Sequence, residues 1–427
     1  MLFKLKNIGK LAEAEIKLDG ITVICGDNNT GKSTVGKALY SFYKSLHNYK
    51  EKIIESKINS IELYFENELQ NPLWIHGNEP SRLLYSFIKK NNNRVKSTDV
   101  SYFFANAINI KISKPEVDTI TKILNTSDEE ILNEYVFRHF DSIFNGQVKN
   151  IKNFRNKSTI KAEFKGGSKI DTLDFYKEKC NCTQNDPIIH KAFYINNPFV
   201  IDHLNEFFAY LSPDNIETNV VAAIRDAQKS IENDKMTNII NVVANKKELD
   251  ILKKQLKSTY TGDTVIKDGK LYYNENGTDI DIRNISTGLK AFALIERMLT
   301  LGILNKQDVL VLDEPEIHLH SEWQIKYAEL IVMLQKHFDL TILIVTHSFQ
   351  FLEALNFFMK EKGIEKCGSF YTPELTDKGV IIKEVDDSYG KLLRNLSKGT
   401  FTMADLEYEY EMKHETIKLE NDHGYSE

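Results

Sequence analysis

Residues 26–33, GDNNTGKS, put Gly26, Gly31, Lys32 and Ser33 at the spacing G-x-x-x-x-G-K-[ST]. That spacing serves polyphosphate chemistry. The glycines let the chain turn so that the N–H groups of Asn28, Asn29, Thr30, Gly31, Lys32, Ser33 and Thr34 face an anion at a helix N-terminus. Lys32 then reaches the outer phosphates, and the Ser33 hydroxyl can ligate Mg²⁺. A second group, VLVLDEP at 309–315, offers Asp313 at a strand end for the metal shell and Glu314 beside it to polarise a water. Phosphoryl transfer asks for positioning and charge neutralisation more than covalent chemistry, so Lys32, Ser33, Asp313 and Glu314 form a sufficient minimal set. A third group, DLTILIVTHS at 339–348, ends a strand on Thr346-His347-Ser348. His347 reaches a γ-phosphate if the three strand ends converge on one crevice.

The elements that must position these groups are legible around them. GITVIC before the loop reads as a buried strand, and STVGKALYSFYKSL after it has apolar residues at helical spacing. LFKLKNIGKLAEAEIKL alternates apolar and polar residues about a turn at Asn7-Ile8-Gly9, the pattern of a hairpin. SEWQIKYAELIVMLQKHF, between the second and third strands, has the length of a crossover helix in a parallel sheet. About 280 residues separate Ser33 from Asp313, far more than the connections inside a compact domain, so a large insertion is expected. Within it, SKINSIELYFENELQ, ILNEYVFRHFDSIFNG and the stretch 216–258 read as helices. KSTIKAEFKGG and GDTVIKDGKLYYNENGTDIDIRNIS read as hairpins. KKNNNRVKST and KNIKNFRNKS read as solvated loops, and the 216–258 helix lacks the sustained heptads of a coiled-coil arm.

Bulk properties narrow the class. The 427 residues are 41% hydrophobic and 27% charged, an ordinary globular balance, and a net charge of −6 argues against a protein that coats nucleic acid. Cys25, Cys180, Cys182 and Cys367 are too few and too irregularly spaced for a disulfide framework and read as reduced thiols. His318-x-His320 lacks a third zinc ligand. No apolar run approaches ~18 residues, and the N-terminus alternates rather than forming a cleavable segment, so a cytoplasmic protein without a membrane partner is expected.

The order GDNNTGKS, ISTGLK at 285–290, VLVLDEPEIHLH and IVTHS resembles the ABC-type ATPase heads of the RecF, SMC and OLD families. The resemblance implies an α/β fold: an ABC-type P-loop NTPase head with a mixed, mostly helical insertion between Walker A and the signature motif. It divides the chain into 1–45 and 265–385 as the two parts of the ATPase lobe, 46–264 as the insertion, and 386–427 as an acidic tail. It also implies ATP and Mg²⁺ as cofactors, with Glu314 and His347 catalytic and Ser33 and Asp313 on the metal. ISTGLK then stands for the motif usually written LSGGQ, so Ser286, Gly288 and Lys290 would contact a γ-phosphate held by a second subunit, in a homodimer or higher homo-oligomer. Thr287 departs from the usual glycine, and His320 stands where the family's D-loop acid usually sits. The magnesium-binding glutamine of the family has no clear counterpart; the turn after FYINNPF, with Asn196 and Asn197, is a weak stand-in.

Among the branches, the OLD type adds a Toprim nuclease, which needs a D-x-D pair after a Glu. Beyond His347 the acidic cluster Glu384-Val385-Asp386-Asp387 lacks that spacing, so no nuclease of that kind is expected in the chain. STGLK with PEIHLH resembles the stand-alone ATPases of anti-phage systems, the PtuA type of Septu and of PtuA-containing retron systems, with the PARIS ATPase as a relative. That resemblance implies a separately encoded effector nuclease of HNH type as partner, with a retron reverse transcriptase and its msDNA, or a phage trigger, as further ones. A RecF-like repair ATPase that clamps DNA directly is the alternative. The final 23 residues, 405–427, hold eight acidic residues and two lysines among Leu406, Tyr408, Tyr410 and Met412, a composition suited to docking on a basic partner or to simple solvation.

Overall fold

The structure, a computed structural model, describes residues 1–385 apart from 69–72, 74–78, 92–93, 151, 154, 167–169, 186–187, 207–214, 233–238 and 256–260. The expected tail, 386–427, lies outside the described residues.

The chain opens with the expected hairpin, β1 (Leu2–Ile8) and β2 (Leu11–Lys17), then β3 (Ile21–Cys25) and α1 (Lys32–Leu46). Helices follow: α2 (Tyr49–Asn67), α3 (Glu79–Asn91), α4 (Ser97–Phe103), α5 (Lys114–Leu124) and α6 (Asp128–Ile143). Four strands come next, β4 (Ser158–Glu163), β5 (Ile170–Tyr176), β6 (Lys179–Thr183) and β7 (Ala192–Ile195), the last leading into a 3₁₀ segment, Pro198–Asn205. Helices α7 (Asn219–Glu232) and α8 (Ile239–Gln255) precede a small sheet of β8 (Asp263–Lys267), β9 (Lys270–Glu275) and β10 (Thr278–Asp281). The chain then runs through α9 (Thr287–Thr300), β11 (Val309–Asp313), α10 (Ser321–Phe338), β12 (Thr341–Thr346) and α11 (Phe349–Glu361). It reaches the hairpin of β13 (Gly368–Thr376) and β14 (Gly379–Glu384).

One 11-stranded sheet, in the order β6-β5-β4-β1-β2-β14-β13-β3-β12-β11-β7, joins these pieces. Its β13-β3-β12-β11-β7 end is parallel, so the loops after β3, β12, β11 and β7 leave the sheet at the same end. Each of these strands is covered on both faces. Ile21, Val23, Cys25, Leu310, Leu312, Ile342, Ile344, Phe193 and Ile195 face the helices α7 to α11. Ile24, Val309, Val311, Leu343, Ala192 and Tyr194 face α1 and α6. Burial on both faces is why these segments read as continuous apolar runs. Each large aliphatic chain so covered contributes roughly 1.5–3 kcal/mol over leaving it in water.

The stretch 46–264 departs from a single insertion. Its helices α2 to α5 do build a separate core around Ile61, Phe65, Phe104 and Ile120. Strands β4 to β6, however, extend the main sheet from the free edge of β1, and β7 pairs in parallel with β11. The stretch 46–264 thus contributes four strands to the main sheet, while residue 264 itself falls in β8 of the small sheet. Covering an open strand edge is the physical gain, and a one-dimensional pattern does not name which edge a hairpin will cover.

Candidate functional site

The phosphate loop is the link from β3 to α1. Gly31 stands at φ 78°, the left-handed region that glycine enters without strain, and a Cβ there would meet the Leu11 Cδ2 at 3.2 Å. Asn29 is also left-handed, at φ 67°, and Lys10 from the β1–β2 turn donates to the Asn29 carbonyl at 3.4 Å and to its side-chain oxygen. Thr30 closes the loop by donating its hydroxyl to the Asp27 carbonyl at 2.8 Å. Asn28 is exposed and Thr34 half-buried, its backbone N–H bonded to the Gly31 carbonyl at 3.1 Å. Lys32 is 4% exposed and its ammonium crosses the loop, donating to the carbonyls of Gly26 at 2.9 Å and Asp27 at 2.7 Å. Burial lowers its pKa, opposed by the nearby carboxylates of Glu314 and Asp313.

Strand β11 ends on Asp313, two strands away from β3. The Ser33 hydroxyl donates to Asp313 Oδ1 at 3.0 Å, which brings together two residues 280 apart in sequence. The other oxygen, Oδ2, accepts from the hydroxyl of buried Tyr194 on β7. Burial pushes the Asp313 carboxyl upward, and the hydrogen bonds from Tyr194 and Ser33 oppose it. Burial also holds the Tyr194 hydroxyl protonated, so it remains the donor. Sequence reading missed Tyr194; its only signal was the buried FYI run on a strand that the pattern did not pair with β11.

Glu314 takes a left-handed conformation, φ 51°, strained for a side chain of this kind, and its N–H donates to the Val345 carbonyl at 2.8 Å. That geometry brings its Oε1 to 3.6 Å from His347 Nδ1. Glu316, two residues on, is also close to the histidine, with Oε1 3.7 Å from Nδ1. Nothing in the sequence pattern singled Glu316 out. A cavity of about 300 Å³ lies on the loop, lined by Lys10, Lys32, Ser33, Lys37, Phe144 and Glu314 among others. A larger one, about 740 Å³, opens at the opposite end of the parallel strands beside Gly20 and Thr341 and includes none of these residues.

The 285–290 group sits elsewhere. Ser286 is exposed and caps α9, accepting from the Leu289 N–H at 3.4 Å. Gly288 is buried, and a Cβ there would meet the Trp323 ring at 2.4 Å. Lys290 is turned inward. The residue is 3% exposed, and its ammonium is held inside the chain by Asp202 at 2.7 Å and the Arg283 carbonyl at 3.0 Å, above the Phe199 ring. A buried cation takes the nearest carboxylate, and Asp202 lies 88 residues away in sequence. Among the described residues no hydrogen bond joins Ser286, Gly288 or Lys290 to residues 26–34. Asn196 and Asn197 leave β7 at the phosphate-loop end of the sheet; Asn197 accepts from the Phe199 N–H at 2.9 Å and caps the 3₁₀ segment.

Residues 1–352 match the family described as AAA ATPase domain. No curated protein matches the chain. Among solved structures it is similar to the SMC head domain from Thermotoga maritima, at 11% identity over 90% of this chain and 98% of that one, TM-score 0.40. It is also similar to an SMC head bound to the C-terminal winged-helix domain of ScpA, at 11% identity over 91% and 98%, TM-score 0.44. A third is an SMC head with an extended coiled coil bound to the C-terminal domain of ScpA, derived from Pyrococcus furiosus, at 10% over 93% and 99%, TM-score 0.38.

Proposed function

Because this chain belongs to the AAA ATPase domain family and has the α/β fold of a P-loop ATPase, we propose that it is the regulatory ATPase of a bacterial anti-phage complex. In this reading it binds ATP with Mg²⁺, hydrolyses it in a site completed by a second copy, and holds or activates a separately encoded effector nuclease. The observation that carries the chemistry is the hydrogen bond of 3.0 Å between the Ser33 hydroxyl and Asp313 Oδ1 at the head of α1. Hydroxyl, carboxylate and phosphate are hard oxygen donors of the kind Mg²⁺ prefers, and the two side chains already meet at one point. They are the pair that would hold the ion, which when bound neutralises phosphate charge and keeps the transferring group in line.

The remaining steps belong to the protein. Lys32 exchanges the carbonyls of Gly26 and Asp27 for phosphate oxygens, and the N–H groups of 28–34 with the N-terminus of α1 receive the rest of the charge. Glu314 takes the proton of the attacking water, and His347 beside it contacts the γ-phosphate. Ser286 approaches the nucleotide held by another copy. The defence role is supported by the STGLK and PEIHLH motifs and by the acidic, aromatic composition of 405–427, which suits a basic partner surface.

Two measurements test the reading. Steady-state ATP hydrolysis with and without Mg²⁺ tests the chemistry; activity that survives Lys32→Ala would remove the assigned site. Co-purification of the genetically adjacent protein with the full chain and with a chain lacking 405–427 tests the partner. Loss of the adjacent protein on truncation, with ATP binding intact, is expected. Retention at full yield removes the tail as the docking element, and salt-sensitive DNA binding without any protein partner would favour the DNA-clamping alternative.

A further inference from the structure

The turn from β11 into α10 carries a carboxylate that the chemistry above leaves unused. Glu316 is 3% exposed, and its Oε1 accepts from three donors of the segment after β12: the Thr346 hydroxyl at 2.5 Å, the His347 N–H at 3.2 Å and the Ser348 N–H at 3.3 Å. Its Oε2 is buried with no hydrogen-bond partner among the described residues. Burying a carboxylate is costly, and one with an unsatisfied oxygen more so, which filling space alone does not require. The grip is reinforced from α10, where Gln324 Oε1 accepts from the Ser348 hydroxyl at 3.0 Å and Gln324 Nε2 donates to the Leu319 carbonyl at 3.0 Å. The segment that bears Glu314 is thus bolted to the segment that bears His347, and the bolt makes no hydrogen bond to residues 26–34.

We propose that Glu316 is a positioning residue for hydrolysis: it fixes the Thr346–Ser348 turn so that the His347 imidazole stays beside Glu314, and it therefore sets turnover rather than nucleotide affinity. The inference rests on the roles proposed above for Glu314 and His347. Without the carboxylate, the Thr346 hydroxyl and the His347 N–H lose their acceptor while Ser348 keeps its bonds to Thr346 and Gln324, so the loosened turn carries the imidazole away from the γ-phosphate.

The test uses the full chain, its ATP turnover and the affinity of a fluorescent ATP analogue, in Glu316→Ala, Glu316→Gln, His347→Ala and the Glu316→Ala/His347→Ala double variant. Glu316→Ala is expected to lower kcat by about a hundredfold, the scale of an ångström-size misplacement, with analogue affinity unchanged. Glu316→Gln keeps an acceptor oxygen for the same donors and restores most of the rate. Because Glu316 acts through His347, the double variant should be no slower than His347→Ala alone. Multiplied losses in the double variant overturn the proposal, as does a loss of rate in which affinity and thermal midpoint fall together in both Glu316 variants. Thr346→Val, which removes one donor with little change of shape, should show the same pattern in smaller measure and keeps the test open if Glu316→Ala does not fold. Wild-type turnover in His347→Ala instead removes the histidine assignment itself, and is seen before Glu316 is changed.

Discussion

On the roles proposed above, two residues at the loop should separate binding from turnover. Lys32 is the buried cation of the phosphate loop, so Lys32→Ala should abolish ATP binding, whereas Glu314→Gln leaves the phosphate contacts in place and removes the base. The second variant should bind ATP normally and hydrolyse it about 10²–10⁴-fold more slowly, the usual worth of a general base. Nucleotide affinity and phosphate release measured on both variants check this, and equal loss of affinity in both would contradict the assigned roles. Tyr194 allows a third test. Its hydroxyl donates to Asp313 Oδ2 and so directs Oδ1 toward Ser33. Tyr194→Phe keeps the ring packed but frees that oxygen, so the Mg²⁺ concentration at half-maximal hydrolysis should rise about tenfold, as is common when a partner behind a metal ligand is lost. A Mg²⁺ titration with unchanged half-saturation would show that Asp313 needs no such support.

At the scale of the element, α9 illustrates what a motif does and does not reveal. ISTGLK resembles a nucleotide-contacting signature, yet Gly288 lies against Trp323 of α10 and Lys290 is turned inward to Asp202. A Cβ at 288 would sit 2.4 Å from the indole, so Gly288→Ala should destabilise the fold by about 1–3 kcal/mol with or without nucleotide. Replacing Trp323 by Leu in the same chain should return part of that loss, read as the thermal midpoint. If Gly288→Ala instead keeps its midpoint and loses only hydrolysis, the glycine serves the nucleotide and not the packing. The strands were legible for a related reason. β3, β11 and β12 are buried on both faces, so their apolar runs announce them, and Asp313 and His347 mark where the runs stop. Tyr194, Asp202 and Glu316 were not legible, because each acts through a partner brought close only by the tertiary fold, over 119, 88 and 30 residues of chain respectively. Hydrophobic periodicity reports burial and not the identity of neighbours.

At the scale of the whole molecule, the sheet divides the proposed site. Helix α1, with the phosphate loop at its head, packs on one face, and α9, with Ser286 at its head, packs on the other. Ser286 is exposed, and among the described residues its hydroxyl only caps its own helix. One chain therefore presents a nucleotide loop and a helix N-terminus on different faces, and a head-to-tail pair of chains would let each complete the other, giving two shared sites. The prediction follows from counting. A pair of Lys32→Ala chains has no intact site, and neither has a pair of Ser286→Arg chains. On the proposed arrangement a mixed pair would have one: Lys32 from the Ser286→Arg chain and Ser286 from the Lys32→Ala chain. An equimolar mixture should therefore recover about a quarter of the wild-type sites, since about half of the pairs are mixed and each holds one intact site of two. Hydrolysis measured across mixing ratios should peak at equal amounts. If both variants still form pairs and the mixture stays as inactive as either alone, Ser286 does not serve a nucleotide held by its partner, and each chain hydrolyses, or fails to, by itself.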